Sequence, residues 1–128
     1  MKKIIISILI LLLVLFAFNC GENSPYEEQE SSGVISISVQ PTVVTADQIS
    51  FNISLNTHSG SLASVDLKRQ VRLKIGDAVL EPSEVPELSG HHSGGTIVFR
   101  IERSFNDFEL IVSNVPDKLE REFKWSRK

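Results

Sequence analysis

The chain of 128 residues contains a single cysteine, so it cannot form an internal disulfide bond, and packing alone must hold its fold. Basic residues are also few: 13 Lys and Arg stand against 16 Asp and Glu, which gives a formal net charge of −3. The lack of a basic stripe to meet phosphates argues against nucleic acid as a partner. The apolar run at residues 4–18 is shorter than the about 20 residues that a membrane-spanning helix needs.

The N-terminus has the layout of an export signal. Two lysines precede the apolar run IIISILILLLVLFAF at 4–18, whose length is typical of the core of a signal peptide. Cys20 follows almost at once, and this arrangement resembles the lipobox of bacterial lipoproteins, although Asn19 stands where that pattern has Gly or Ala. The resemblance implies that residues 1–19 are a signal peptide and that Cys20 carries acyl chains such as palmitate. The alternative is an uncleaved N-terminal anchor. Both place the rest of the chain outside the cytoplasmic membrane, attached to a bilayer of the cell envelope, on the periplasmic side or the cell surface.

The stretch after Cys20, GENSPYEEQESSG, is polar and acidic and shows no apolar periodicity. Such a composition predicts a disordered tether over residues 20–33. The folded domain is then expected at 34–128. Removal of the first 19 residues would leave 109, which is enough for one domain with a single core, at a net charge near −5 because two lysines leave with the signal.

Apolar residues recur at every second position in six stretches of the predicted domain. These residues are Ile35, Ile37 and Val39; Ile49, Phe51, Ile53 and Leu55; Val71, Leu73 and Ile75; Ile97, Phe99 and Ile101; Phe108, Leu110 and Val112; and Phe123 with Trp125. A period of two puts one side of each strand in a core and the other in water. With turn residues between the stretches, the pattern predicts an all-β fold, an immunoglobulin-like antiparallel β-sandwich of about seven short strands. A small β-barrel is the alternative.

Three local features refine this expectation. Trp125 falls in register with Phe123, which predicts that it fills the core rather than serving as a binding platform. The stretch IGDAV at 75–79 predicts a hairpin at the edge of a sheet. The stretch DLKRQVRLKIG at 66–76 is compatible with a helical turn that leads directly into a strand.

The three histidines of the chain lie in two polar loops, with His58 in NTHSGS and with His91 and His92 in SGHHSGG. Glycines on both sides of the pair permit backbone conformations in which the two imidazoles converge. Three neutral imidazoles suit Zn²⁺ or Cu²⁺, so we predict a divalent-metal site formed by His58, His91 and His92. The alternative is that these histidines only shape polar turns.

The two histidine loops belong to a longer pattern, which can be written THS…DL…GHHxxG…F…RxFxW. The residues that carry it are Thr57, His58, Ser59, Leu62, Asp66, Leu67, Leu73, Gly90, His91, His92, Gly94, Phe99, Leu110, Arg121, Phe123 and Trp125. In these positions the chain resembles a family of small exported bacterial and archaeal domains of uncharacterised function. The resemblance spans nearly all of 48–125. It implies an exported β-sandwich and places all three histidines within the motifs of the family, but it implies no activity.

These observations predict a non-catalytic protein. Ser59 and Ser93 adjoin histidines, but adjacency in the sequence is not the geometry of a catalytic triad. Two functions follow: an accessory lipoprotein that binds Cu²⁺ or Zn²⁺ through its histidines, or a module that binds another protein of the cell envelope and needs no metal. The expected partners are the membrane, through the N-terminal lipid, and in the second case an envelope protein. An exposed apolar patch or an unpaired strand edge would favour the second function.

Overall fold

The computed structural model describes residues 24–116 and 118–128, so the predicted signal peptide and Cys20 lie outside the described residues. Within these ranges the chain forms eight strands, one 3-10 turn at Leu62–Ser64 and one helical turn. The elements are β1 (Gln29–Ser31), β2 (Ile35–Val44), β3 (Gln48–Thr57), α1 (Leu67–Gln70), β4 (Val71–Ile75), β5 (Ala78–Leu80), β6 (His92–Arg100), β7 (Asp107–Ser113) and β8 (Glu120–Ser126). None of the helical elements described has the length and apolar content to cross a membrane.

The strands form two antiparallel sheets of four. The order is β1-β2-β3-β6 in the first sheet and β5-β4-β7-β8 in the second, and the described strands do not close into a barrel. The predicted β-sandwich is therefore confirmed, and the barrel alternative is wrong. When β1 is set aside, the third, sixth and seventh of the remaining strands share one sheet, as in immunoglobulin-like domains, while the fourth, β5, joins that same sheet instead of the opposite one.

The core lies between the two sheets and is built from the alternating residues that the sequence indicated. Phe51 of the first sheet is fully buried, and Trp125 of the second is only 7% exposed. Their ring centroids lie 5.5 Å apart, and Trp125 also stacks on Phe108 at 5.8 Å. The prediction that Trp125 fills the core is confirmed.

Two other local predictions are confirmed. The β4–β5 hairpin turns at Gly76 and Asp77, where Gly76 has a φ of +59°, a conformation that glycine adopts without strain. β5 is the edge strand of its sheet, as expected for 75–79. The helical turn α1 leads directly into β4, with no residue between them.

The predicted tether over 20–33 is wrong for the part of it that the structure describes. Residues 24–31, which we call the strap, pack along the sandwich, and their last three residues form β1, which pairs with β2. Tyr26 is 7% exposed and meets Phe108 edge to face, with ring centroids 5.9 Å apart. The Trp125 Nε1–H donates to the Glu27 carbonyl at 2.8 Å. One aromatic ring and these hydrogen bonds hold a segment whose overall polarity suggested disorder, and the folded domain extends to residue 24 rather than beginning at 34.

The strap also closes one open side of the sandwich. The side-chain amide of Gln29 pairs with the backbone of Lys124 on β8: Nε2 donates to the Lys124 carbonyl at 2.6 Å, and the Lys124 N–H donates to Oε1 at 3.2 Å. A side chain thus occupies the position that a neighbouring strand would take along the edge of the second sheet. The two sheet edges, β1 and β8, are joined in this way.

The two ends of the sandwich differ in what they carry. The histidine end consists of the turns at 32–34, 58–61 and 88–91 and of residues 114–116 and 118–119. The Phe105 end consists of the turns at 45–47, 76–77 and 101–106. Strands of ten residues separate the two ends by about 30 Å, at about 3.3 Å per residue.

Candidate functional site

The histidine end is organised by the pairing of β3 with β6. Asn56 lies opposite His92 in the register of these strands. Beyond that pair, the Thr57 N–H donates to the His91 carbonyl at 2.9 Å, and the Leu62 N–H donates to the Gly90 carbonyl at 2.8 Å. These bonds join the loop that carries His58 to the loop that carries the other two histidines. The structure therefore brings all three sequence-predicted ligands to one end of the sandwich.

Thr57 shapes the bend that presents His58. Its side chain is 3% exposed, and its Oγ1 donates to the Ser59 carbonyl at 2.8 Å while accepting from the Ser59 N–H at 3.3 Å. Hydroxyls that bond locally to the backbone are typical of tight turns. His58 itself is exposed at the tip of this bend.

The second loop depends on its glycines. Gly90 has a φ of +66°, in the left-handed region that glycine enters at little cost. Gly94 lies so close to β3 that an added Cβ would stand 2.2 Å from the Ile53 carbonyl oxygen. Only a residue without a side chain permits this approach. Ser93 accepts a hydrogen bond from the Ser89 N–H at 3.3 Å, as expected for a serine engaged within its own turn.

The side chains of the two consecutive histidines do not share one environment. His92 is the first residue of β6, and its Nδ1 lies 2.5 Å from Oδ1 of Asn56 on the neighbouring strand. His91 precedes the strand and lies in the bend that follows Gly90. All three histidines are exposed. Among residues 24–116 and 118–128, no three His, Cys, Asp or Glu side chains are gathered closely enough to hold a metal ion. The three-histidine metal site stays a prediction.

Arg121 is the structural centre of this end, and its role was not foreseen from the sequence. It is 3% exposed although it carries a charge. Nη1 donates to the carbonyls of Ser31 at 3.1 Å and Ile35 at 2.6 Å, and Nη2 donates to the Pro116 carbonyl at 3.4 Å. One guanidinium thus joins the turn before β2 to the turn before β8. The sequence does contain an indication of its burial: Arg121 alternates with Phe123 and Trp125, and this pattern puts a charged residue at a core position.

Two exposed apolar side chains lie on the turns that Arg121 joins. Val34 is 54% exposed, and Leu119 is 82% exposed. The turn that carries Leu119 is closed by a bond from the Asn114 N–H to the Leu119 carbonyl at 2.9 Å, with Asn114 at a φ of 56°. Ile35, next to Val34, lies opposite Thr57 in the first sheet. The apolar pair and the histidines therefore belong to one continuous end of the molecule.

A shallow depression lies elsewhere, on the outer face of the second sheet. Its volume is about 390 Å³, and it is open to solvent between Lys74, Glu109 and Lys124. Charges of both signs surround it, without a cluster of titratable groups that points to one reaction.

Comparison with known proteins assigns no relationship: no protein-family model, curated protein or solved structure matches the chain. The resemblance carried by the THS and GHH motifs therefore stays a prediction. The structure does explain several of its positions physically, because Thr57, Leu62, Gly90, Gly94 and Arg121 all make contacts that shape the histidine end.

Proposed function

We propose that this chain is a lipid-anchored protein of the cell envelope whose non-catalytic β-sandwich binds another envelope protein through its histidine end. The observation that carries this proposal is the exposure of Val34 and Leu119 on two turns that one buried arginine holds together. Exposed apolar side chains rimmed by polar groups mark interaction surfaces when they lie together. Turns that are already fixed lose less conformational entropy when a partner binds.

Site-specific photocrosslinking in the full-length protein tests the binding surface. p-Benzoylphenylalanine would replace Leu119 or Val34 at the histidine end, and Val79 as the control, because Val79 is 59% exposed and equally apolar but lies on β5 near the other end. We expect the same adduct from Leu119 and Val34, no such adduct from Val79, and loss of the Val34 adduct when Leu119→Asp is added. An adduct of equal yield from Val79, or none from the histidine end, would contradict the proposal.

Attachment to the membrane has its own test at Cys20. We expect the wild-type chain to incorporate labelled palmitate and to sediment with membranes, since acyl chains contribute about 0.8 kcal/mol per buried methylene. The Cys20→Ala variant should incorporate none, and Ser24→Ala should behave as the wild type. Equal palmitate incorporation by the Cys20→Ala variant would refute lipidation at this residue.

Metal binding is the second candidate, favoured by the bond between the Thr57 N–H and the His91 carbonyl, which joins the two histidine loops. Imidazoles are suitable donors for Zn²⁺ and Cu²⁺, and these exposed side chains would have to move to share one ion. Isothermal titration of the chain from Glu22 onward with each ion, beside a His91→Ala/His92→Ala variant, tests it. Binding of one ion per chain that the variant loses would establish metal handling, and an absence of binding by the wild type would remove it.

A further inference from the structure

We infer that membrane attachment holds the domain with its Phe105 end or its strap side toward the lipid surface, and its histidine end away from it. The inference rests on the proposed lipidation of Cys20. In this orientation the lipid surface lies against the Phe105 end or the strap side. The histidine end stays accessible to the protein partner proposed above.

The strap fixes the point from which the chain runs toward Cys20. Ser24 donates a hydrogen bond from its Oγ to the Pro41 carbonyl, near the Phe105 end of β2. The Gln40 side chain donates to the Tyr26 carbonyl at 2.9 Å, and the Lys128 N–H donates to the Tyr26 hydroxyl at 3.0 Å. Together with the buried ring of Tyr26, these bonds fix the position of Ser24 relative to the sandwich.

The length of chain between Cys20 and Ser24 limits the orientations that the domain can take at the membrane. Cys20 and Ser24 are four residues apart, and four residues of fully extended chain span at most about 14 Å. From Pro41 to Ile35, six residues along β2, the distance toward the histidine end is about 20 Å. If the histidine end faced the lipid, Ser24 would have to stand about 20 Å from the surface, which is beyond this reach. The short attachment therefore excludes that orientation and permits the Phe105 end or the strap side to meet the lipid.

The surface that the attachment turns toward the bilayer carries apolar and cationic side chains. Val43 is 40% exposed at the end of β2, and Ala46 is exposed in the turn that follows. The guanidinium of Arg127 lies over the ring of Phe105, 5.0 Å from its centroid. Arg103 lies 3.9 Å from Asp77, so charges of both signs are present. The length of the attachment, rather than net charge, selects this surface.

Energy transfer from single dye labels to an acceptor at the membrane surface tests the orientation. The full-length protein would carry Ala46→Cys at the Phe105 end or Ser59→Cys at the histidine end, both exposed positions, while acylation protects Cys20 from the dye. Because the two labels differ by about 30 Å along the strands, we expect at least about twofold greater transfer from position 46 if the Phe105 end faces the lipid, and about equal transfer from both labels if the strap side does. Inserting ten Gly and Ser residues between Asn23 and Ser24 should abolish that difference, because the reach would rise to about 48 Å.

Flotation of the same vesicles separates the possible failures. If the protein floats with the membranes but position 59 transfers more than position 46, the orientation is overturned while attachment stands. If the protein does not float, attachment and orientation both fail. A difference between the labels that survives the insertion would also overturn the inference, because it would then not come from the length of the attachment.

Discussion

Replacing Tyr26 by alanine tests whether the strap is part of the fold. A buried tyrosine removes about 150–250 Å² from water, which at about 25 cal/mol per Å² gives an upper estimate of 4–6 kcal/mol. Measured losses for large aromatic side chains in cores are about 3–5 kcal/mol. Since Tyr26 is 7% exposed and contacts Phe108, we expect Tyr26→Ala to lower the free energy of unfolding by about 3–4 kcal/mol. Tyr26→Phe should lose only about 0.5–1 kcal/mol, the net value of the bond from the Lys128 N–H.

The assay is equilibrium unfolding in urea followed by the fluorescence of Trp125, the only tryptophan of the chain. Because Trp125 is buried and donates to the Glu27 carbonyl, its emission reports both the core and the strap. Glu28→Ala is the matched control: it lies in the same segment but is exposed, so its effect should stay within about 0.5 kcal/mol. If Tyr26→Ala and Glu28→Ala differ by less than that, the strap does not contribute to the core, and the fixed position of Ser24 is lost with it.

Four further substitutions test other parts of the structure. Gly94→Ala should lower the free energy of unfolding by about 2 kcal/mol or more, because the added Cβ would meet the Ile53 carbonyl. Gly90→Ala should cost only about 1 kcal/mol, because the space around Gly90 is open. Equal thermal midpoints for the two variants would contradict this. Arg121→Lys should cost about 2 kcal/mol in urea unfolding, because one ammonium cannot reach all three carbonyls, and an unchanged midpoint would show that these bonds contribute little. Gln29→Ala should cost about 1 kcal/mol, and faster hydrogen exchange at the β8 edge should accompany it.

The strands of this domain were predictable because the alternation of apolar and polar residues is visible within each segment by itself. Ile35, Ile37 and Val39 alternate with polar residues, and each is buried where the alternation places it. The same holds for Phe123 and Trp125. A period of two can be recognised without knowing the partner strand, so one sequence is enough to detect it.

The strap was missed for the opposite reason: nothing in its own sequence shows what holds it. Tyr26 stands alone among polar residues, and its burial depends on Phe108, which is 82 positions later in the chain. In the sequence, Gln29 has the character of a solvated side chain. Its pairing with the backbone N–H and carbonyl of Lys124 is evident only in the fold. A strand of three residues is too short to show a period, and the side-chain contacts of Tyr26 and Gln29 come from distant segments.

The candidate site was predictable in its location and not in its geometry. The prediction of one site formed by His58, His91 and His92 requires the two loops to lie at the same end of the sandwich, and they do. The glycines around the histidine pair suggested a turn in which the two imidazoles could converge. The chain does bend at Gly90, which has a φ of +66°, but β6 begins at His92, whose Nδ1 lies beside Oδ1 of Asn56.

In the orientation proposed above, the strap contacts that stabilise the fold also set the distance of the domain from the membrane, whereas the proposed binding at the histidine end depends on other residues. Loss of Tyr26 should therefore lower stability and lengthen the effective attachment together, since residues 24–31 would no longer be held against Phe108 and Trp125. Leu119→Asp is expected to change neither, because that side chain is 82% exposed and takes no part in the core. If the strap variant alters the orientation of the domain while Leu119→Asp alters only the crosslinked partner, the two ends of the sandwich serve separate functions. If either substitution changes both, the division between a lipid-facing and a protein-facing end is wrong.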